Sequence, residues 1–282
     1  MTNLRVGDPA TARKDSHIEI ARAQQQGFSE ADESYRDFDD ITFVHHGLRG
    51  TGSDAVSLAT EVAGIHWDQP LYVNAMTGGT GRSYAISREL AQAACVTGTA
   101  LACGSMSSYL GQDSEALESF FVLRETNPDG FIFANVNANT SPEHACQAVD
   151  LLDANALQIH LNSAQELMMP EGDRDFRAWP DNIARMVEAV SVPVVVKEVG
   201  SGISGDTYLE LATLGVSAVD VSGRGAPISR QSSRFGRAIP AGPHSRGGGC
   251  RRRKVWSTVV VSLAWRVRTC LPPAVSGSRW KQ

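Results

Sequence analysis

The segment from Ala156 to Glu171 joins a strand-like pattern to a cluster of side chains that could do chemistry. Apolar residues alternate there with Gln158 and His160, and this period of two is typical of a β-strand. Gln165 and Glu166 follow directly. In chains that alternate strands and helices, ligands bind at the carboxyl ends of the strands, because the loops there carry polar groups over a rigid sheet. This segment is therefore the first candidate for a functional site.

The same pattern also fits a buried strand followed by a solvated loop. A histidine on a strand is often a core residue whose hydrogen bonds are satisfied by its neighbours. The sequence of this segment alone leaves both interpretations open, so the rest of the chain has to decide between them.

Two further groups of cations could bind an anion. Lys197 closes the apolar run from Val192 to Val199, which predicts a partly buried cation that faces an anionic or electron-rich ligand. Near the N-terminus, Arg13, Lys14 and His17 combine two cations with an imidazole, a set that suits a phosphate dianion. A basic pair close to a chain end is also typical of a solvated surface, and that alternative stays open.

The elements that would position these groups repeat regularly from residue 71 onward. Apolar runs predict strands, and the segments between them predict helices. The predicted strands cover residues 71–76, 101–104, 131–136, 156–161, 192–199 and 216–221. The predicted helices cover residues 83–97, 114–125, 142–152, 181–189 and 206–214, with Asp113 or Ser114 capping the second and Ser141 the third.

Continuous Val- and Ile-rich strands that alternate with helices indicate an α/β fold with parallel strands covered by helices. Six such units favour a TIM-type (β/α)8 barrel over a doubly wound sheet, although periodicity alone does not exclude the latter. Residues 1–70 read as an N-terminal extension. It is predicted to contain a helix over 18–26, a short strand over 38–44 and a loop or hairpin over 58–70.

All six predicted strands end in small or polar residues, which would line one mouth of the barrel. A single glycine-rich turn usually only reverses the chain direction, but six such ends on one side favour a binding site. The ends are Asn74 to Gly79, Gly104 to Ser107, Asn135 to Asn137, the Gln165 and Glu166 cluster, Lys197 with Glu198, and Ser222 to Gly225.

Composition excludes several classes of protein. The 282 residues are 42% hydrophobic, which is enough for one large α/β domain or two small ones. No run of about 18 apolar residues occurs, and Met1 to Lys14 lacks an apolar signal segment, so we expect no membrane span and a cytoplasmic location. The five cysteines form no Cys-x-x-Cys pair, which argues against a zinc site or a disulfide framework.

Seven motifs, in order and in spacing from about residue 10 to 225, together resemble the type 2 isopentenyl-diphosphate isomerases. This span is about four-fifths of the sequence, and the His-Leu-Asn-x-x-Gln-Glu motif is the most specific part. Other FMN barrels would share Lys197 but not that motif. The motifs are Arg13-Lys14-x-x-His17, Asn74 to Gly79, Gly104-Ser105, His160 to Glu166, Met169 to Gly172, Val196 to Gly200 and Val219 to Gly225.

The resemblance implies an enzyme that interconverts isopentenyl and dimethylallyl diphosphate, with reduced FMN as acid/base group, Mg2+, and NADPH or another reductant. It also implies a homo-oligomer, with no nucleic acid and no membrane as partners. It places FMN at Ala75, Met76, Thr77, Ser105, Asn135, Lys197 and Ser222.

The same resemblance assigns the substrate side and the metal. Gln165 is the implied catalytic residue and Glu166 the implied Mg2+ ligand. One carboxylate suffices if the diphosphate supplies further oxygen ligands, because Mg2+ prefers carboxylate, water and phosphate oxygens. The implied substrate-binding residues are Arg13, Lys14, His17, Ser105, Met106, Ser107, His160, Asn162 and Gln165.

The sequence departs from the family after Gly225. The family continues as Gly-Thr-Asn-Phe, whereas here Ala226-Pro227-Ile228-Ser229 follows, and those four residues can be encoded by bases that give Gly-Thr-Asn-Phe one base earlier. Charge breaks at the same place: residues 1–225 hold 14 Lys and Arg and 31 Asp and Glu, while residues 226–282 hold 12 Lys and Arg and no acid. We therefore hypothesise a frameshift near residue 225, which sequencing the DNA across codons 220–235 would test.

A basic tail could instead bind nucleic acid or a membrane surface. If the frameshift hypothesis holds, the last two strands of the barrel are lost and two sheet edges are open, so we expect an unstable or FMN-free product. Two rival functions also remain: another FMN barrel oxidoreductase that acts on a hydroxy acid or a dihydropyrimidine, and a product that is not an enzyme, either damaged or binding through its tail.

Overall fold

The structure is a computed structural model that describes residues 14–16, 18–19, 47–48, 50, 52–76, 78–106, 114–169 and 172–222. The predicted strand over 38–44, most of the predicted helix over 18–26 and all of the tail over 226–282 lie outside these residues. So does Asp113, one of the two proposed helix caps.

Six parallel strands form one sheet in which the order along the sheet is the order along the chain. This sequential order, with each strand beside the next, is that of a β/α barrel and differs from the reversed order of a doubly wound sheet. The predicted α/β fold with six barrel-type strands is confirmed. After the hairpin of β1 (Thr60–Val62) and β2 (Ile65–Trp67), the strands are β3 (Tyr72–Val73), β4 (Ala100–Ala102), β5 (Ile132–Asn137), β6 (Ala156–Leu161), β7 (Val194–Glu198) and β8 (Ala218–Asp220).

Helices connect successive strands, and their ends follow the sequence signals. The side chain of Thr80 accepts a hydrogen bond from the backbone N–H of Ser83, and Ser141 does the same for His144, as the Ser141-Pro142 start predicts. The helices are α1 (Gly81–Thr97), α2 (Ser114–Thr126), α3 (Pro142–Leu152), α4 (Ser163–Met168), α5 (Trp179–Ala189) and α6 (Gly205–Thr213). The segment after β6 therefore begins with a short helix, α4, where the sequence pattern indicates none, and residues 172–178 beyond it form no helix or strand.

The strand faces divide the molecule into an outer and an inner core. Residues such as Leu157, Ile159 and Val196 point outward and pack with the helices in a large apolar cluster. The inward-facing residues change along each strand from apolar to polar. β6 runs Ala156, Gln158, His160, and β5, β7 and β8 run Phe133 to Asn135, Val195 to Lys197 and Ala218 to Asp220.

The antiparallel hairpin of β1 and β2 closes the apolar end of the barrel interior. Val62 and Trp67 join the inner cluster with Tyr72 and Phe133, and the Trp67 and Phe133 rings meet edge to face at 6.0 Å. Water is thus excluded from that end, while polar groups gather at the carboxyl ends of the strands. This confirms the predicted hairpin over 58–70 and places the candidate site at the opposite mouth.

Candidate active site

One cleft opens at the carboxyl ends of the strands. Its walls come from strands β5, β6 and β7, from the loops after β3, β4, β6 and β7, from helix α4 and from the N-terminal extension. The lining residues are Lys14, Ala75, Met76, Gly78, Ser105, Asn135, Asn137, His160, Asn162, Gln165, Glu166, Met169, Lys197 and Val199.

Ten of the twelve described residues that the sequence predicted for the site line this cleft. The two exceptions are Met106 and Ser222. Met106 is fully buried in the outer apolar cluster and does not line the cleft, and its assignment to the substrate stays a prediction. Ser222 is 9% exposed and does not line the cleft. The predicted Arg13, His17, Thr77 and Ser107 lie outside the described residues.

Four lining residues were not among the predicted site residues: Gly78, Asn137, Met169 and Val199. Asn137 and Val199 extend two inward-facing rows, since Asn137 follows Asn135 and Val199 follows Lys197 at a spacing of two. Gly78 and Asn137 belong to the strand ends that the sequence predicts at the mouth, and the spacing of two could also have identified Val199. Met169 directly follows the short helix α4, which no sequence pattern indicates.

Lys14 reaches the cleft from the N-terminal extension. Its Nζ lies 3.5 Å from the Ser105 carbonyl oxygen and 5.9 Å from the centre of the Phe120 ring. Gly78 packs against the same ring, because a Cβ on residue 78 would lie 2.5 Å from a Phe120 ring carbon. The absence of a side chain at residue 78 thus lets the loop after β3 approach α2 and leaves room for Lys14 above the ring.

Lys197 lies on the inner face of β7 and is 5% exposed. Its Nζ donates a hydrogen bond to the Glu198 carbonyl oxygen at 3.1 Å. Burial lowers the pKa of this ammonium, while the charges of Asp220 and Glu198 act in the opposite direction. A desolvated cation in a cleft is suited to bind the electron-rich edge of a ligand.

His160 sits beside Lys197 on the neighbouring strand and hydrogen-bonds to the side chain of Asn135, with Nδ1 and Oδ1 2.9 Å apart. Burial first and the Lys197 charge second lower the pKa of His160 to about 3, with a smaller opposing effect from the Val136 carbonyl. The imidazole is therefore neutral near neutral pH in the ligand-free protein.

This neutral imidazole makes stability depend on pH. His160 has a pKa of about 3 when folded and about 6.5 when unfolded, so the unfolded state binds more protons between these values. The contribution of His160 to the free energy of unfolding is complete above its pKa in the unfolded state. It is lost as pH falls toward its pKa in the folded state. We expect the free energy of unfolding in urea to fall by about 2 kcal/mol between about pH 7 and about pH 5 because of this residue.

The same urea titrations on His160→Gln should lack that part of the pH dependence. His144→Gln, at an exposed position on α3, is the matched control and should keep it. An unchanged slope in His160→Gln would mean that the imidazole is not held neutral by the fold.

Glu166 lies on α4, and its carboxylate is held by Asn162, which precedes the helix, and by the loop that follows the helix. Asn162 Nδ2 donates to Oε1 at 2.6 Å and the Asp173 N–H donates to Oε2 at 3.0 Å. The Arg174 guanidinium fastens this loop by donating to the Glu166 and Met169 carbonyl oxygens, each at 2.6 Å. At Gly172 a Cβ would lie 2.1 Å from the Glu166 carbonyl oxygen, so the loop requires glycine there.

Among the described residues, no group of three His, Cys, Asp or Glu side chains could hold a metal ion. Within the same residues, no helix is long and apolar enough to cross a membrane.

Comparison with known proteins identifies relatives of this chain over 213 residues. It is 54% identical to the isopentenyl-diphosphate delta-isomerase of Kitasatospora griseola and 51% identical to that of a Streptomyces species. In both cases the match covers 76% of this chain and 57% of the relative. The isomerase of Staphylococcus saprophyticus is 47% identical over 76% of this chain and 59% of its own length. No protein-family model matches the chain.

Solved structures with a similar fold include a mandelate oxidase and a lactate oxidase of Pediococcus acidilactici. The mandelate oxidase has a TM-score of 0.49 and 14% identity, over 74% of this chain and 68% of its own. The lactate oxidase has a TM-score of 0.45 and 14% identity, over 64% and 57%.

Proposed function

We propose, on the premise that this chain is homologous over 213 residues to isopentenyl-diphosphate delta-isomerases, that its cleft interconverts isopentenyl and dimethylallyl diphosphate. The chain spans 57% of the length of the first two relatives. The observation that carries the proposal is the convergence of ten residues, predicted from scattered motifs, on one cleft.

The two ends of the cleft would do different work. Lys14, His160 and Asn162 would bind the diphosphate, and Glu166 would hold Mg2+ against it, because phosphate oxygens are preferred by both ammonium groups and Mg2+. Arg13 and His17 are proposed for the same end. The residue types support this division, since all the described members line the cleft.

At the other end, Lys197, Asn135 and Ser105 would hold FMN, together with Ala75 to Thr77 and Ser222. The donor set fits a flavin: Lys197 supplies a buried cation, and Asn135 is 1% exposed with its amide already oriented by Gln158. Reduced FMN, with NADPH or another reductant to reduce it, would supply the acid/base chemistry that an alkene requires. The protein's residues would exclude water and hold the substrate in a reactive geometry.

Gln165 would act between these ends. It lies on α4, lines the cleft and is held at the carboxyl end of β6, so its amide can contact the alkene end of a substrate whose diphosphate is bound at Lys14 and Glu166. We propose Gln165 as the catalytic residue contributed by the protein.

The test is turnover in deuterated water. Purified chain with FMN, a reductant and Mg2+ is expected to convert isopentenyl diphosphate to dimethylallyl diphosphate and to introduce deuterium into the product, as seen by NMR. Gln165→Ala should lower the rate at least about 100-fold, the scale of a lost acid/base contribution, without changing affinity for FMN. Gln147→Ala, at an exposed position on α3, should change neither.

A different product pattern would contradict the proposal. Stoichiometric consumption of the reductant with a reduced or oxidised product, and no isomer, would instead support the rival FMN barrel oxidoreductase.

The proposed domains are an extension over 1–70 that binds the diphosphate, a partial barrel over 71–225 and an out-of-frame tail over 226–282. If the given chain fails to bind FMN and a chain that continues as Gly-Thr-Asn-Phe succeeds, the defect lies in the tail and not in the cleft. The variants proposed for FMN binding are then compared in that in-frame background. Assembly into a homo-oligomer stays a prediction.

A further inference from the structure

A line of four hydrogen bonds, here called the interior relay, crosses the barrel interior beneath the cleft. The Tyr72 hydroxyl donates to Asp220 Oδ2 at 2.5 Å, and Gln158 Nε2 donates to the Tyr72 hydroxyl oxygen at 3.4 Å. Asn135 Nδ2 donates to Gln158 Oε1 at 2.8 Å, and His160 Nδ1 meets Asn135 Oδ1 at 2.9 Å. The relay joins the two outermost strands of the described sheet, β3 and β8, to the floor of the cleft.

Four members of the relay are almost completely buried. Tyr72 is 4% exposed, Gln158 is fully buried, and Asn135 and Asp220 are 1% and 5% exposed. Leaving a buried polar group unpaired costs free energy, so we expect the hydrogen bonds of the relay to be kept. Reversing one bond would therefore require reversing the others.

Asp220 fixes the direction of the relay. Its oxygens also accept hydrogen bonds from Asn74 Nδ2 and from the Ser222 N–H, each at 3.0 Å, and neither of these groups can accept in return. With the carboxylate as an acceptor, the Tyr72 hydroxyl must donate to it and accept from Gln158.

The hydrogen bond to Tyr72 also determines how the two side-chain amides of the relay are oriented. Gln158 uses its N–H2 group toward Tyr72 and so presents its carbonyl oxygen to Asn135, whose carbonyl oxygen is in turn presented to His160. An amide oxygen cannot donate. The hydrogen between His160 and Asn135 must therefore belong to the imidazole.

We propose that Asp220 is a positioning residue that, through the interior relay, fixes His160 as the Nδ1–H tautomer and leaves its Nε2 as an acceptor. Asp220 does this without touching His160. Since a histidine in water favours the other tautomer, with the hydrogen on Nε2, the relay reverses the intrinsic preference.

The consequence for the substrate rests on the proposed function. A fully ionised phosphate oxygen has no hydrogen to give to Nε2, so such a diphosphate makes a hydrogen bond there only after the imidazole takes up a proton. The tautomer itself needs neither flavin nor substrate to be measured. A wrong assignment of the tautomer and a wrong isomerase proposal therefore give different experimental results.

The experiment is 15N NMR of the full chain without ligands, which reports the tautomer from the two ring-nitrogen shifts. The chain has seven histidines, and the His160 signals are assigned by their loss in His160→Gln. We expect the Nδ1–H form to exceed the other at least about tenfold, the equilibrium effect of one hydrogen bond.

Tyr72→Phe removes the hydroxyl that links Asp220 to Gln158. The side-chain amides of Gln158 and Asn135 can then exchange their donor and acceptor ends. We expect the tautomer ratio to fall by about tenfold or more toward the Nε2–H form. Asp220→Asn should act in the same direction, because an amide can donate as well as accept. Asn74→Ala is the matched control: it removes another donor to Asp220 but no member of the relay, so the ratio should not change.

Two results would overturn the proposal. One is a predominant Nε2–H tautomer in the unmodified chain, which requires no variant to fold. The other is an unchanged ratio in Tyr72→Phe with retained near-UV circular dichroism.

Discussion

Replacing Lys197 by methionine is expected to weaken FMN binding about 100-fold, because a charge-assisted hydrogen bond in a buried site contributes about 1.5 to 3 kcal/mol. The methionine side chain has a similar length and fills the same space on β7. FMN affinity is measured from the quenching of flavin fluorescence on titration with protein.

The stability of Lys197→Met should change by only about 1 kcal/mol or less, because two electrostatic effects oppose each other. Removing the ammonium removes the cost of burying it, which is the cause that lowers its pKa. It also removes the favourable attraction to Asp220 and Glu198. Asp220 keeps its three donors, from Tyr72, Asn74 and Ser222, so no buried carboxylate is left without a hydrogen bond.

Lys14→Met is the matched control, since it removes a second lysine from the same cleft. Lys14 lies above the Phe120 ring and is assigned to the diphosphate, so its loss should weaken substrate binding and leave FMN affinity unchanged. Equal losses of FMN affinity in both variants would mean that the two lysines act through the overall positive charge of the cleft and have no separate roles.

The β/α repeat and the position of the site were predictable from the sequence because both depend on local patterns. Alternation along β6 assigns His160 and Gln158 to the same face, and the structure places both on the interior side. The polar strand ends meet at one mouth because parallel strands in sequential order must end on the same side.

Other features depend on contacts between distant residues. The Tyr72 hydroxyl and Asp220 are separated by 148 positions, and no local pattern relates them. Helix α4 was missed because it is six residues long, too short for a period of 3.6 to be visible. Met106 follows a polar strand end, yet its side chain is buried in the outer core, a position that depends on packing against residues distant in sequence.

The interior relay and the resemblance explain different parts of the same cleft. The resemblance assigns Asn135 to the flavin and His160 to the substrate, whereas the structure joins these two side chains by a hydrogen bond. A change at one of them is therefore expected to alter the other, and separate roles for the two should not be read from single variants alone.

If Glu166 holds Mg2+ against the diphosphate as proposed, replacing it by glutamine is expected to lower kcat/KM for isopentenyl diphosphate at least about 100-fold, because a neutral amide binds the ion more weakly. The substitution is nearly isosteric. The single amide oxygen of the glutamine can still accept a hydrogen bond from Asn162 Nδ2. Its N–H2 group then faces the Asp173 N–H, which is also a donor. We expect FMN affinity to stay unchanged, since Glu166 lies at the diphosphate end of the cleft.

Turnover measured against Mg2+ concentration separates the metal-binding role of Glu166 from a role in holding the loop. If the carboxylate binds the ion, saturating Mg2+ should restore part of the rate in Glu166→Gln, because a weaker site still fills at high concentration. If Glu166 only anchors Asn162 and the Asp173 N–H, the Mg2+ dependence of the variant should match that of the unmodified chain at a uniformly lower rate. Glu210→Gln, at an exposed position on α6, controls for the loss of one surface charge and should change neither quantity.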